Sequence, residues 1–337
     1  MIIVYQSIIH LIDDTINFRR HKLFMFKNFR LIGFIAFLSL AMILVACGEE
    51  EDGNSADGDS EEYDLELELG EESLTVPYVA WARETISTHL LAAILEDIGY
   101  DVEVTQVEAG PMYTSVADGT ADFHTSAWLP ATHANYWEEY EDDLIQVTEV
   151  LDQAPLALTV PSYMEDINSI EDLKDNTELG ESVDWEIIGI DPGAGIMQNT
   201  ETVLEDYGLD NWEVVESSEA AMLTELQKAI ENEEPIVVPL WKPHWIFGVE
   251  DLKMLEDPQG IYGGDGDQIY TVARKDLEED APAAYKVLEN YTETYELVEE
   301  LMPLVHDEGQ DPEDVAKEFL EDNPEKFEEW TEGVINH

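Results

Sequence analysis

Short β-type runs alternate with amphipathic helical patterns from residue 74 to the end of this 337-residue chain. Such alternation is typical of an α/β fold with largely parallel sheets, because each parallel strand needs a crossover to reach its neighbour. We predict strands at residues 75–81, 100–107, 121–128, 156–160, 185–190, 213–216, 236–240 and 268–272.

Helices are predicted between these strands. Residues 85–98 form an amphipathic helix that Gly99 ends, residues 196–207 and 220–230 form two more, and Ser169 caps a further short one. From residue 280 the pattern is mostly helical, with breaks expected near Pro303 and Pro312.

The order of these elements predicts two lobes. The chain builds one α/β lobe, then a second, and then returns to the first, with crossings expected near residues 153–158 and 268–274. We therefore predict a two-lobed fold of the periplasmic-binding-protein type II. Lobe 1 would contain residues 74–155 plus 272–337, and lobe 2 residues 156–271. Ligands of open α/β sheets bind beyond the carboxyl ends of the strands, which here is the interlobe cleft.

The N-terminal segment predicts export and a lipid anchor. Residues 25–30 carry basic side chains, and residues 31–46 are apolar apart from Gly33 and Ser39. A helix of that length covers roughly 24 Å, less than the ~30 Å hydrocarbon core, so residues 25–46 suit a signal peptide better than a membrane span. The run LVACG resembles the lipobox of bacterial lipoproteins and implies acylation of Cys47 on the outer face of the cell membrane.

The flanking segments are assigned by composition. Residues 1–24 fit neither a signal nor a mature domain, and we interpret them as an upstream extension. Residues 47–73 are acidic and rich in Gly and Ser, which predicts a solvated, lipid-anchored linker. Because Cys47 is the single cysteine, the chain has no intrachain disulfide and no cysteine-based zinc site.

The charge balance excludes two kinds of partner. Acidic residues outnumber basic ones by 78 to 15, which gives a formal net charge of -63. Such a surface repels nucleic acid and anionic lipid. The acids are spread along the whole chain, which favours adaptation to a saline or alkaline habitat over attraction of cationic ligands.

Three tryptophans end apolar, strand-like runs: Trp81, Trp128 and Trp241. Side chains at such positions face a cleft. One of them alone would more often be a core aromatic, but three at equivalent positions indicate a shared ligand. A box of aromatic faces suits a quaternary ammonium, which has no N–H donors and is attracted by ring quadrupoles at about 0.5–2 kcal/mol per desolvated face.

Residues 191–196, DPGAGI, follow a predicted strand and open a helix. Backbone N–H groups at such an N-terminus bind anions, and Gly195 allows a ligand to approach closely. A nucleotide loop is disfavoured because Gln198 stands where G-x-G-x-x-G needs its third glycine, and no Walker lysine follows. A carboxylate site next to a cation box predicts a zwitterionic ligand.

Residues 104–137, residues 187–197 and the WKPHW motif at 241–245 resemble segments of the glycine betaine and proline betaine binding proteins of ABC importers. The similarity runs from about residue 74 to the C-terminus. It implies an extracytoplasmic receptor that delivers glycine betaine, together with proline betaine, to an ABC permease with a cytosolic ATPase for osmoprotection. No cofactor and no metal are implied.

The resemblance also implies site residues. Trp81, Trp128 and Trp241 would form the tryptophan box around the ligand ammonium. Gly195 and Ile196 would supply backbone amides to the ligand carboxylate, and His133 a further contact. Tyr113 departs from the pattern, since some relatives have Trp there, and we expect it behind the cleft.

The remaining histidines and tryptophans are expected to be structural. His244 would orient its loop, and His124 would be a hydrogen-bonded core or edge histidine. Packing roles are expected for Trp137, Trp185, Trp212, Trp245 and Trp330.

The sequence leaves two alternatives open. The first is a receptor for choline, carnitine or another quaternary amine. Choline lacks a carboxylate and would leave the amides of Gly195 and Ile196 unsatisfied, at a cost of roughly 1–3 kcal/mol. The second is a carboxylate-dependent hydrolase acting on a small cationic substrate. No carboxylate pair stands out for it, and nucleophile-elbow, H-E-x-x-H and phosphate-loop motifs are missing from the sequence, so we predict a receptor rather than an enzyme.

Overall fold

The computed structural model describes residues 63–336, which contain ten strands and twelve α-helices. The strands are β1 (Ser73–Tyr78), β2 (Asp101–Gln106), β3 (Phe123–Leu129), β4 (Leu144–Ala154), β5 (Leu156–Pro161), β6 (Glu186–Ile188), β7 (Glu213–Val215), β8 (Val238–Trp241), β9 (Leu252–Met254) and β10 (Asp267–Arg274). The predicted signal peptide and Cys47 lie outside the described residues.

The helices alternate with the strands up to β10 and then dominate. They are α1 (Ala82–Asp97), α2 (Ala109–Ala117), α3 (Ala134–Tyr140), α4 (Thr177–Ser182), α5 (Gly195–Tyr207), α6 (Glu219–Asn232), α7 (Ile246–Val249), α8 (Leu277–Asp280), α9 (Pro282–Asn290), α10 (Tyr295–His306), α11 (Pro312–Asp322) and α12 (Pro324–Trp330), with a 3-10 turn at Ile170–Leu173. None of these helices is both long and apolar enough to cross a membrane.

The strands form four sheets in two groups. β1 pairs with β2 in parallel, and β10 lies antiparallel between β3 and β4. We call the part of the chain built on these two sheets lobe 1 (residues 63–154 and 267–336). β5 lies antiparallel between β8 and β9, and β6 pairs with β7 in parallel. This second group forms lobe 2 (residues 155–266).

The prediction of largely parallel sheets is wrong, since four of the six strand pairings in the described chain are antiparallel. A buried strand has the same apolar pattern whichever way its neighbour runs, so the pattern does not reveal direction. Strands β4 and β9 are not among the predicted strands. Much of β4 is half-buried or exposed and therefore lacks a continuous apolar run.

Two predicted boundaries shift. Asp267 pairs with Ala154, so residues 267–271 belong to the sheet of lobe 1 and not to lobe 2. Residues 63–73, assigned to the linker, are part of the fold. Leu65 bridges to Ile335, and Leu65, Leu67 and Leu69 pack against the core. These leucines occupy every second position, so they turn to one face despite the acids between them.

Helix ends follow local sequence signals. Gly99, with φ +115°, ends α1 as predicted, and Ser169 caps the 3-10 turn by accepting the Glu171 N–H. Pro312 begins α11 at its first turn, where a missing N–H costs little. The break expected at Pro303 is wrong, because α10 continues through it to His306.

Helix α1 is buried on nearly all sides rather than on one face. It packs against β1, β2 and β3 and against α10 and α11, and 13 of its 16 residues are buried, including Arg83 and Glu84. A helix that is enclosed on all sides needs no polar face for solvent. The one-sided apolar pattern predicted for residues 85–98 is therefore only weakly developed. Its N-terminus points Trp81 and the following residues at the cleft.

Candidate functional site

A cavity lies between the lobes. Residues of both lobes form its wall, and the six residues that the sequence predicted for ammonium and carboxylate binding are among them. The lining residues are Trp81, Arg83, Glu84, Ser126, Trp128, Thr132, His133, Leu156, Ile190, Ala194, Gly195, Ile196 and Trp241. The ligand contacts of the six remain a prediction.

The three indoles reach the cavity from three different elements. Trp81 precedes α1 as its N-cap residue, Trp128 is the penultimate residue of β3, and Trp241 is the last residue of β8. Each is only 5–7% exposed, so the ring faces are desolvated. The Trp128 Nε1–H donates to Ser126 Oγ at 3.2 Å, which fixes the plane of that ring.

His133 stands in the same wall as a neutral donor. Its Nδ1 accepts the backbone N–H of Trp128 at 3.2 Å and lies 3.1 Å from the Tyr113 hydroxyl. The ring proton therefore resides on Nε2. Burial lowers the pKa of His133 to about 4, so the ring stays neutral near pH 7. Its ring also stacks near Trp81, with the centroids 6.0 Å apart.

The N-terminus of α5 contributes backbone N–H groups. Within residues 63–336, neither Gly195 nor Ile196 donates its N–H to another group, and Ala194 provides no side-chain cap. Two unpaired N–H groups at the positive end of a helix are suited to a carboxylate. Gly195 is required sterically, since a Cβ there would lie 2.0 Å from the Thr132 carbonyl oxygen and 2.8 Å from His133 Cδ2.

Hydrogen bonds join the lobes around the cavity. The Trp81 indole N–H donates to Asp191 Oδ2 at 3.3 Å, the Ala82 N–H to Glu219 Oε2 at 3.1 Å, and the Tyr136 hydroxyl to the Gly193 carbonyl at 2.7 Å. In each pair the donor is on lobe 1 and the acceptor on lobe 2. The cleft is thus closed in this structure.

Two charged residues that are not among the predicted site residues also line the cavity. Arg83 and Glu84 are each 1% exposed. Arg83 donates from Nε to Glu293 Oε2 at 2.9 Å and from Nη1 to the Thr125 carbonyl at 2.7 Å. Glu84 Oε1 accepts the Val79 N–H at 3.2 Å. The available signal was a charged pair directly after a predicted cleft tryptophan, at the start of an otherwise apolar helix.

Residues expected to be structural do not line the cavity. Tyr113 lies behind His133, as its hydroxyl contact shows. His244 accepts the Ile246 N–H at Nδ1 and meets Glu219 Oε1 at Nε2, so it orients its own loop. His124 is fully buried, but the expectation that it is hydrogen-bonded holds only for Nδ1, since Nε2 has no partner among the described residues.

The five tryptophans assigned to packing also lie away from the cavity. Trp185 and Trp212 contact each other edge to face, and Trp330 is fully buried against Tyr291. In the part of the chain that the structure describes, no cluster of three or more His, Cys, Asp or Glu side chains is placed to hold a metal ion.

Residues 72–322 match a family described as the substrate binding domain of ABC-type glycine betaine transport systems. A glycine betaine/carnitine transport binding protein, GbuC of Listeria monocytogenes, is 48% identical over 159 residues, which cover 47% of this chain and 52% of that protein. The chain thus aligns with about half the length of this curated relative.

Two solved structures match over most of their length. The lactococcal OpuAC in its closed, glycine betaine-bound conformation is 36% identical, with a TM-score of 0.72 over 77% of this chain and 100% of that chain. A glycine/betaine/L-proline-binding protein (ProX) from Borrelia burgdorferi is also 36% identical, with a TM-score of 0.74 over 77% of this chain and 96% of that chain. These neighbours confirm the predicted two-lobed, periplasmic-binding-protein-like α/β fold.

Proposed function

Because the chain belongs to the family of substrate-binding domains of ABC-type glycine betaine transport systems, we propose that it is an extracytoplasmic receptor for glycine betaine. It would also take proline betaine, which carries the same two charged groups. The proposal rests on one observation: a cavity between the lobes is lined both by three indoles and by Gly195 and Ile196, whose backbone N–H groups are unpaired within residues 63–336.

The indoles support recognition of the trimethylammonium group. This cation offers no N–H donor, so directed hydrogen bonds cannot hold it, whereas ring faces attract it and bury its methyl groups. Trp81 and Trp128 belong to lobe 1 and Trp241 to lobe 2. Both halves of the protein therefore contribute to the box, which favours binding to the closed form.

The opposite end of the ligand would be held by lobe 2 and His133. The Gly195 and Ile196 N–H groups meet a carboxylate at the positive end of α5, and neutral His133 donates from Nε2. Three donors satisfy an anion that would otherwise be costly to bury.

The closed form is the species we propose to be recognised by a membrane permease that a cytosolic ATPase drives. The ligand makes contacts with both lobes only when the cleft is closed, so it shifts the population towards closure. We further propose that acylated Cys47 holds the receptor on the outer face of the membrane, consistent with the lipobox-like LVACG run.

Calorimetry tests the ligand assignment. We expect glycine betaine to bind with micromolar Kd, about -8 kcal/mol, and glycine, which lacks the methyl groups, to bind far more weakly. Failure of glycine betaine to bind would overturn the proposal. NMR of the same mixture checks that the ligand is recovered unchanged, and conversion of the ligand would indicate an enzyme instead.

Carnitine is a second candidate ligand, because the name of the Listeria relative includes it. Carnitine shares the trimethylammonium and carboxylate groups but separates them by a longer chain. A competition titration ranks the two, and displacement of glycine betaine by an equal concentration of carnitine would favour carnitine.

A further inference from the structure

Glu84 brings a carboxyl group to the wall of the tryptophan-lined cavity. The residue is 1% exposed, and Oε1 accepts the Val79 N–H at 3.2 Å. The second oxygen, Oε2, is buried without a hydrogen-bond partner among residues 63–336. Native proteins seldom leave a buried carboxyl oxygen unpaired, so this atom needs an explanation.

The neighbouring charges do not neutralise Glu84. Arg83 is adjacent in sequence but forms its ion pair with Glu293, at 2.9 Å. Glu219 approaches from lobe 2 and adds a second negative charge. The remaining ionisable neighbours are Tyr78 and Tyr113, which are uncharged near neutral pH.

Glu84 is linked to two of the indoles proposed to bind the ammonium group. It lies three residues after Trp81, in the first turn of α1, where the helix dipole favours a negative charge. The Ser126 hydroxyl interacts with the Glu84 carboxyl and also accepts the indole N–H of Trp128. The carboxyl group thus shares a hydroxyl neighbour with Trp128 and belongs to lobe 1 with Trp81, whereas the N–H groups of Gly195 and Ile196 come from lobe 2.

From this geometry we propose that Glu84 is the counter-charge for the cationic head of the ligand and makes the cavity select a cationic head group over an uncharged one of the same shape. The inference rests on the proposed function and assigns the charge selectivity to one residue. Indole faces bind both a trimethylammonium and a tert-butyl group by burying methyls. A full negative charge at contact range separates the two by roughly tenfold or more in affinity.

The pKa of the Glu84 carboxyl group is consistent with this role. Burial raises its pKa to about 8, and the Val79 N–H, the Ser126 hydroxyl and Arg83 offset only part of that effect. A cation in the cavity favours the ionised form. Binding should therefore release a proton from the carboxyl group to the solvent near neutral pH.

The test compares glycine betaine with 3,3-dimethylbutanoate, its isostere in which a carbon replaces the nitrogen. Glu84→Gln keeps the shape of the side chain and removes the charge. We expect its affinity for glycine betaine to fall roughly tenfold or more, while its affinity for 3,3-dimethylbutanoate stays the same or rises. Equal losses for both ligands, or no loss for either, overturn the proposal.

Glu289→Gln is the control, because Glu289 is an exposed carboxyl that pairs with Lys286 and does not line the cavity. This change should leave both affinities as they are in the wild type. If the wild-type protein binds glycine betaine no better than 3,3-dimethylbutanoate, whose head group is uncharged, charge selectivity is refuted while a receptor role survives. If it binds no quaternary amine at all, the proposed function itself fails.

A second measurement uses the wild-type protein alone and does not depend on folding of the variant. Calorimetry at about pH 7.5 in two buffers of different ionisation enthalpy reports protons released on binding. We expect a fractional proton release with glycine betaine and none with 3,3-dimethylbutanoate. Proton release of equal size with 3,3-dimethylbutanoate overturns the proposal, because it would not depend on the cationic head group.

Discussion

Gly195 of lobe 2 lies against Thr132 of lobe 1 so closely that a Cβ at Gly195 would be 2.0 Å from the Thr132 carbonyl oxygen. The same glycine offers its N–H at the start of α5. One residue therefore permits both closure of the cleft and approach of an anion. Its lack of a side chain is a requirement of the closed state, because the three atoms nearest to such a Cβ all belong to Thr132 and His133 of lobe 1.

Gly195→Ala should consequently weaken ligand binding without destabilising the lobes. Overpacking at such a contact costs about 1–3 kcal/mol, or roughly tenfold to a hundredfold in Kd. Calorimetry with glycine betaine measures the loss, and thermal unfolding without ligand should stay unchanged. Gly248→Ala is the control, since a Cβ there meets nothing within 4 Å. An unaltered Kd for Gly195→Ala would show that closure does not need this contact.

Trp241 is the one tryptophan of lobe 2 that lines the cavity. Its removal should expose the ammonium group of the bound ligand to solvent. Trp241→Ala is expected to weaken glycine betaine binding by about 2 kcal/mol or more. Trp241→Phe keeps a smaller ring face and should fall between wild type and alanine. Titration of intrinsic fluorescence gives the three Kd values, and equal affinities would remove Trp241 from the box.

His133→Phe retains a planar ring but loses the Nε2–H donor. A hydrogen bond to a charged group contributes about 1.5–3 kcal/mol, so glycine betaine affinity should fall by that amount. Choline has no carboxylate and should bind the variant about as well as wild type. Competition titrations of glycine betaine against choline, on the wild type and on the variant, measure both affinities. A parallel loss of choline binding would indicate a structural role for His133. Tyr113→Phe is the control, because it removes only the hydroxyl group that contacts His133 from behind.

Affinity for glycine betaine should rise with pH until Glu84 is fully ionised. The pKa of Glu84 is raised to about 8 by burial, and a bound cation lowers it, so the ligand prefers the ionised form. Below pH 8 the Kd should worsen by up to about tenfold per pH unit, and above it the Kd should level off.

Two tyrosines that face Glu84 do not titrate in this window, because burial raises the pKa values of Tyr78 and Tyr113 above their usual value of 10. Arg83 is paired with Glu293, and Glu219 adds a negative charge from lobe 2. Calorimetry from about pH 6 to pH 9 gives the profile. Glu84→Gln should be flat over the same range, and a wild-type profile that is also flat would contradict the ionisation argument.

Much of the site could be anticipated because its signals are local. An apolar run that ends in Trp, as at Trp128 and Trp241, marks a strand end, and strand ends lie at the cleft in this type of fold. The DPGAGI run likewise marks a strand, a turn and a helix start within a few residues. The structure brings these segments around one cavity.

The acidic residues in the first turns of α1 and α6 have roles that local sequence patterns do not reveal. Glu84 and Glu219 resemble ordinary first-turn acids, since carboxylates are favoured at helix N-termini. In the fold, Glu219 instead accepts the Ala82 N–H across the cleft, 137 positions away in sequence. No local pattern carries that information.

Most element types, the α/β class and the chemical character of the cleft residues can be predicted from the amino-acid sequence, because they depend on side-chain identity and on periodicity within single elements. The strand directions, the burial of α1 and the pairing of Trp81 with Asp191 arise only in the folded chain. Those features depend on which distant segments pack together. The balance of burial and hydrogen bonding that selects one packing is a property of the whole chain.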